Sequence, residues 1–171
     1  TWDFEYIMRL LWQASVINRF LDICDDKTSR VYSEVRGGLI KAVRDVHPHF
    51  DNVSEYMDAM CRFLRGFDTI LSLNYDLLVY WCVIKEINLF KDNRSEGHVF
   101  KDCFSNGVFD GDWQKFREPI SGQKSCSLVF YPHGNLALSR YIDGGEKKIH
   151  RNDDDLLNSI LKEWEGGDGV P

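Results

Sequence analysis

An α/β fold is what this sequence predicts, and three observations carry the prediction. Two short, strongly apolar runs, Phe67–Leu73 and Ser127–Tyr131, read as buried strands. The first passes directly into a helical pattern beginning at Leu77-Leu78-Val79-Tyr80-Trp81. Residues 1–66 instead carry apolar side chains at helical spacing. The expected architecture is a single domain, with a large N-terminal helical portion over 1–66 and a strand-bearing portion over 67–171 in which helices flank the sheet.

Taken in order, Thr1-Trp2-Asp3 caps a first helix whose stripe Phe4, Ile7, Met8, Leu11, Ala14, Ile17 and Leu21 faces a core. A break at Asp25–Thr28 leads to a second helix over 29–46, despite Gly37-Gly38, and His47-Pro48-His49 ends it. Asn52 or Ser54 caps a third helix reaching Arg65, with Gly66 as its stop. A strand over 68–73 and a helix over 77–89 follow. Residues 90–126 read as a long polar connection punctuated by glycine, of the kind that is functional or mobile. After the strand at 127–131, Leu136–Tyr141 and Lys147–Ile149 flank Asp143-Gly144-Gly145 as a hairpin. A last helix over 153–164 opens on Asp153-Asp154-Asp155, an acidic start that suits the helix dipole.

Composition narrows the function classes. With 171 residues, 43% hydrophobic and rich in Phe, Tyr and Trp, the chain can bury one sizeable core. A formal charge of −6 without a basic block disfavours a nucleic-acid surface. No apolar run approaches the roughly 18 residues of a membrane span, and no signal peptide opens the chain. Five irregularly spaced cysteines lack any Cys-x-x-Cys pair, which argues for reduced thiols in a cytoplasmic protein, most of them in the core. Thr1 in place of an initiator Met, and the ending Gly166-Gly167-Asp168-Gly169-Val170-Pro171, suggest a fragment incomplete at both ends.

The chemistry concentrates at two strand ends. Asn74-Tyr75-Asp76 follows the first strand and Pro132-His133-Gly134 follows the second, and ligands of α/β sheets bind at the carboxyl ends of strands. Histidine accepts a proton near neutral pH, asparagine both donates and accepts, and aspartate adds a fixed acceptor. Asn-x-Asp is also an ordinary turn and helix start, and that plainer reading places Asn74 and His133 far apart. Elsewhere, His47 and His49 lack the carboxylate or cysteine company of a metal site, so no metal is expected. Cys103 and Cys126 lack a thiol-protease pattern, Asp153–Asp155 reads as a solvated helix start, and Trp81 and Trp113 read as core or lid residues.

Ser72-Leu73-Asn74-Tyr75-Asp76 with the later His133-Gly134 resembles the sirtuin-like NAD-hydrolase superfamily, in particular bacterial sirtuin-like proteins that include antiphage NAD hydrolases. The likeness runs over about residues 1–142, with Asp3-Phe4-Glu5, Phe67-Asp68, Tyr80-Trp81 and Phe130-Tyr131 as its weaker parts. It implies a Rossmann-like parallel sheet and an NAD glycohydrolase that cleaves NAD to nicotinamide and ADP-ribose, with a role in antiviral defence. By this resemblance Asn74 and His133 are catalytic: Asn74 orients water and the nicotinamide ribose, and His133 is the base or ribose anchor. Ser72, Asn74, Tyr75, Asp76 and Gly134 bind the nucleotide, Asp76 on the nicotinamide side.

Two departures refine the expectation. Leu73 stands where protein-deacylating sirtuins carry Gln, and their four-cysteine zinc module has no counterpart, so protein deacylation is set aside. The family's glycine-rich phosphate loop has no match either, since Gly37-Gly38 falls in a helical pattern. That loop is expected upstream of Thr1. The alternative is a non-catalytic module that binds a nucleotide, ADP-ribose or a protein. The expected partners are NAD or ADP-ribose, with a homo-oligomer or an activating protein, and neither nucleic acid nor membrane.

Overall fold

The computed structural model describes residues 4–24, 26–92, 97–120, 122–140, 146–148 and 156–166. The chain divides into two compact units, Thr1–His47 and Pro48–Pro171. In the first, helices α1 (Phe4–Phe20) and α2 (Asp26–Val46) pack on each other. Ser15 Oγ meets Ser29 Oγ at 3.4 Å, and Asn18 Nδ2 donates to Thr28 Oγ1 at 3.3 Å, so the pair is an antiparallel hairpin. Helix α2 begins at Asp26, three residues before the expected start, and runs straight through Gly37-Gly38. Each glycine costs about 1 kcal/mol against alanine in a helix interior, so the polar-and-apolar facing of α2, not propensity, holds it. The expected α1 stripe is core-facing only in part. Ile7, Met8, Leu11 and Ala14 are half-buried, but Ile17 and Leu21 are 55% and 57% exposed, because a two-helix hairpin offers only one seam.

The second unit opens with a correction. The single helix expected up to Arg65 is broken into α3 (Phe50–Val53), a 3-10 turn (Ser54–Tyr56) and α4 (Met57–Leu64). Neither Asn52 nor Ser54 caps it; Ser54 Oγ turns back to donate to the Asp51 carbonyl at 3.0 Å. A hydroxyl that satisfies itself locally competes with the helix in this way. Strand β1 (Thr69–Leu71) then leads to α5 (Leu78–Lys91), close to expectation.

The expected long connection is the larger correction. It contains β2 (His98–Lys101), the short strands β3 (Phe104–Ser105) and β4 (Val108–Phe109), and a 3-10 helix (Trp113–Arg117). The next strand, β5 (Ser125–Phe130), is the centre of a three-stranded parallel sheet ordered β1-β5-β2. Its register sets Leu71 opposite Phe130 and Lys101 opposite Leu128. The expected hairpin strands are also formed: β6 (Leu138–Arg140) pairs antiparallel with β7 (Glu146–Lys148), in a second sheet ordered β3-β4-β7-β6. Its expected tip at 143–145 lies outside the described residues, as do Thr1-Trp2-Asp3 and Asp153–Asp155. Helix α6 (Leu156–Gly166) buries Leu156, Leu157, Ile160 and Leu161, a one-faced pattern.

Side-chain alternation assigns the faces of the parallel sheet. His98, Phe100, Ser127, Val129 and Ile70 share one face, and all are buried. Arg65 and Glu86 act electrostatically on His98, which places α4 and α5 over that face. The opposite face carries Cys126 and Phe130. There Cys126 Sγ donates to the Arg117 carbonyl at 3.0 Å, and Trp113 stacks edge-on against Phe130 at 5.9 Å. The two crossovers therefore lie on opposite faces of the sheet. Arg65 and Glu86 also join α4 to α5 through an ion pair of 2.7 Å, with Glu86 only 1% exposed. Toward β1 the second face is open: Phe67, Leu71 and Leu73 are exposed beside an edge strand.

Candidate functional site at the carboxyl edge of the parallel sheet

The two sequence motifs come together. Strands β1 and β5 are adjacent and parallel, so their carboxyl ends lie at the same edge. Beyond the last paired rung, Leu71 with Phe130, the Ser72 amide still donates to the Phe130 carbonyl at 2.9 Å. Asn74 and His133 each stand three residues past that rung, and both are exposed. A second backbone bond, from the Leu136 amide to the Tyr75 carbonyl at 3.0 Å, pins the loop after His133 directly on the Asn74-Tyr75-Asp76 loop. The plainer expectation of two widely separated turns does not fit this bond.

Local chemistry explains each loop. Ser72 is buried and continues the strand, while Tyr75 is 42% exposed. Asp76, half-buried, accepts the Leu78 amide on Oδ1 at 2.9 Å and so starts α5. This local side-chain turn sits one residue ahead of the helix cap at Leu77, and it occupies one carboxylate oxygen. On the other side, the Gly134 amide closes a turn onto the Tyr131 carbonyl at 2.9 Å, with Pro132 and His133 at its corners. Proline fixes φ for the first corner. Gly134 has a φ of 82°, left-handed territory open to glycine at little cost, and no atom lies within 4 Å of where a Cβ would stand.

The third strand brings a residue that the sequence reading missed. Asp102 follows β2 directly, so it belongs to the same edge. Its Oδ2 pairs with Lys148 Nζ of β7 at 2.6 Å, and the two side chains are 8% and 9% exposed. Its Oδ1 accepts the Phe104 amide at 3.3 Å. Between them Cys103 is held at a φ of 61°, an arrangement that costs a non-glycine residue on the order of 1 kcal/mol or more. The Lys148 ammonium lies 5.8 Å from both the Tyr80 and Phe104 ring centres. One buried cation thus ties the antiparallel sheet to the end of β2. The miss has a cause: His98–Lys101 is only four residues long, and the glycines around it read as loop.

Tyr131 and Asn135 are the other two residues the sequence did not flag. Burial drives the Tyr131 hydroxyl well above the usual phenol range, and the nearby Asp102, Tyr80, Cys82 and Asp76 push it the same way. Burial and Asp102 likewise raise Tyr80. The Tyr131 hydroxyl is shut off from solvent and has no hydrogen-bond partner among the described residues. Asn135 is 3% exposed; its Oδ1 accepts the Ala137 amide at 2.7 Å, while its Nδ2 is buried without a partner among the described residues.

The weaker candidates resolve individually. Cys103 is buried, and desolvation with Asp102 and Asp110 pushes its thiol up to about 11, so it is not a thiolate at neutral pH. Cys126 donates to the Arg117 carbonyl. Trp81 is a core residue, edge-on to Phe50 at 5.4 Å, whereas Trp113 covers the end of β5. His47 is buried and His49 exposed. Among the described residues no group of three or more His, Cys, Asp or Glu is placed to hold a metal ion. No helix among them is long and apolar enough to cross a membrane.

Comparison with protein families matches residues 1–171 to the model described as Domain of unknown function (DUF4917), and the chain belongs to that family. A search of curated proteins returns no match.

Proposed function

We propose that this member of the family is an NAD glycohydrolase of the sirtuin-like type, acting at the shared carboxyl edge of β1 and β5. The observation that carries the reading is the Leu136–Tyr75 backbone bond, which joins the Asn74-Tyr75-Asp76 and His133-Gly134 segments that the resemblance pairs. The parallel sheet with crossovers on both faces supports it, because such sheets bind ligands at this edge. A Rossmann-like relationship belongs to the same proposal.

The chemistry asked of these residues is modest and matched to their types. Cleaving the nicotinamide–ribose bond builds positive charge on the ribose, and water then forms ADP-ribose with release of nicotinamide and a proton. His133, exposed at a turn corner, takes the proton from the attacking water or from a ribose hydroxyl. Asn74 orients that water with its donor and acceptor atoms. The Asp76 oxygen not engaged with Leu78 serves the nicotinamide side, and Tyr75 packs against the ligand.

The test is release of nicotinamide from NAD by the full-length protein. Asn74→Ala and His133→Ala are each expected to lower the rate by about 10²-fold or more, the usual scale of an acid–base or orienting group. Undiminished hydrolysis in both variants would sink the assignment. A second reading, a module that binds nucleotide without cleaving it, gains some support from the Asp76 oxygen already committed to α5. Calorimetry separates the two, since such a module binds NAD and ADP-ribose and leaves both intact.

A further inference from the structure

We propose that Asn135 Nδ2 and Tyr131 Oη form a binding subsite for an uncharged, hydrogen-bonding group of a ligand. The inference rests on the nucleotide reading above, on which that group is the nicotinamide amide or a ribose hydroxyl. Both atoms are shut off from solvent and lack a hydrogen-bond partner among the described residues. A buried polar group left unpaired is destabilising, and such a loss persists only where something else offsets it. Two such atoms lie four residues apart, on the segment that carries His133 and Gly134.

The Asn135 side chain is held in place for this role. Its Oδ1 is engaged by the Ala137 amide at 2.7 Å, which fixes the carboxamide plane and leaves Nδ2 as a donor of set direction. The following amide, Leu136, is bonded to Tyr75, so the donor is tied to the Asn74-Tyr75-Asp76 loop and not to a wandering segment. Gly134 has open space where a Cβ would stand, so a ligand atom can approach the backbone there.

Charge selects the ligand group. Asp102 and Asp76 both act on Tyr131, and the Lys148 ammonium is paired with Asp102. With two carboxylates acting there, a phosphate is repelled and a neutral amide or hydroxyl is the suitable partner. An oxygen of that group accepts from Asn135 Nδ2, and Tyr131 Oη donates or accepts as the group requires.

Calorimetric titration of the full-length protein with nicotinamide and, separately, with ADP-ribose tests this. Asn135→Asp keeps an oxygen to accept Ala137 and replaces the donor with an acceptor oxygen of a carboxylate; Tyr131→Phe removes only the hydroxyl, with no change of charge. A loss of about tenfold or more in nicotinamide affinity with ADP-ribose unchanged assigns the subsite to the amide, and the converse assigns it to a ribose hydroxyl. Either result supports the proposal. Unchanged affinity for both ligands in both variants overturns the subsite while leaving the nucleotide site standing, and is what a buried bridging water would give. Wild-type protein that binds neither ligand overturns the nucleotide reading and the subsite with it. If Asn135→Asp fails to fold, as judged by circular dichroism, Tyr131→Phe decides alone.

Discussion

Lys148 and Asp102 show what a single buried pair does here. Each is less than a tenth exposed, so each has left water for the other, and Asp102 additionally turns the backbone through Cys103. Removing one partner strands a buried charge, at a cost of about 3–5 kcal/mol, whereas replacing both by apolar residues of similar volume is often neutral. Lys148→Met is therefore expected to lower the unfolding free energy by that amount, and Lys148→Met with Asp102→Leu to regain much of it. Urea denaturation of the three proteins decides; equal losses in the single and double variants would mean that the pair is not the strut described. At Gly134 the effect is smaller. Alanine meets no neighbour there but must hold a φ of 82°, so Gly134→Ala should cost about 1 kcal/mol in the same assay. A stabilised variant would contradict the turn.

At the scale of elements, β5 is organised by hydrogen bonding at its start as much as by apolar packing along its length. Ser127 Oγ donates to the Phe67 carbonyl and so must accept from His98 Nε2, 3.1 Å away; His98 Nδ1 then accepts from Ser125 Oγ at 2.8 Å. His98 is buried, and desolvation followed by Arg65 holds its pKa below the usual value, against the weaker opposite pull of Glu86. The unfolded chain takes up this proton near pH 6.5 and the folded chain only at lower pH. The stability tied to neutral His98 is accordingly present above about pH 6.5 and is lost as the pH falls through the window below it. Urea midpoints at neutral and mildly acid pH should show this slope in the wild type and a flatter one in His98→Gln. An equal slope in both would place the proton elsewhere.

The same elements show what can be read from residues alone. Phe67–Leu73 and Ser127–Tyr131 were legible as strands because their apolar runs are long for their surroundings, and α5 because its apolar residues continue unbroken from Leu77. Strand β2 was not legible: four residues, flanked by polar positions, leave no periodicity to detect, and only pairing with β5 makes them a strand. The break between α3 and α4 was hidden for a different reason, since Ser54 suits a helix start but satisfies itself on Asp51. At the site, Asn74, Asp76 and His133 stood out by residue type. Asp102, Tyr131 and Asn135 did not, because their significance lies in burial and in bonds made or left unmade.

The whole molecule is a pair of units of unequal cohesion. Few side chains of the α1–α2 hairpin are fully buried, while Phe100, Leu128, Val129, Leu77, Cys82 and Val83 of the second unit are almost wholly so. Local opening free energy follows such burial. Native-state hydrogen exchange should therefore find the slowest amides in β5 and α5 and much faster ones in α1 and α2; comparable protection in the two units would contradict the division. The second unit also brings three strand ends to one edge, with Asn74 and Asp76 beyond β1, His133 and Asn135 beyond β5, and Asp102 beyond β2. Whether that edge receives a nicotinamide nucleotide is the central claim. Mapping backbone amide shifts of the full-length protein on titration with NAD tests it most directly. The account predicts changes concentrated in Ser72–Asp76 and His133–Leu136, and changes confined to other segments, or none at saturating NAD, would contradict it.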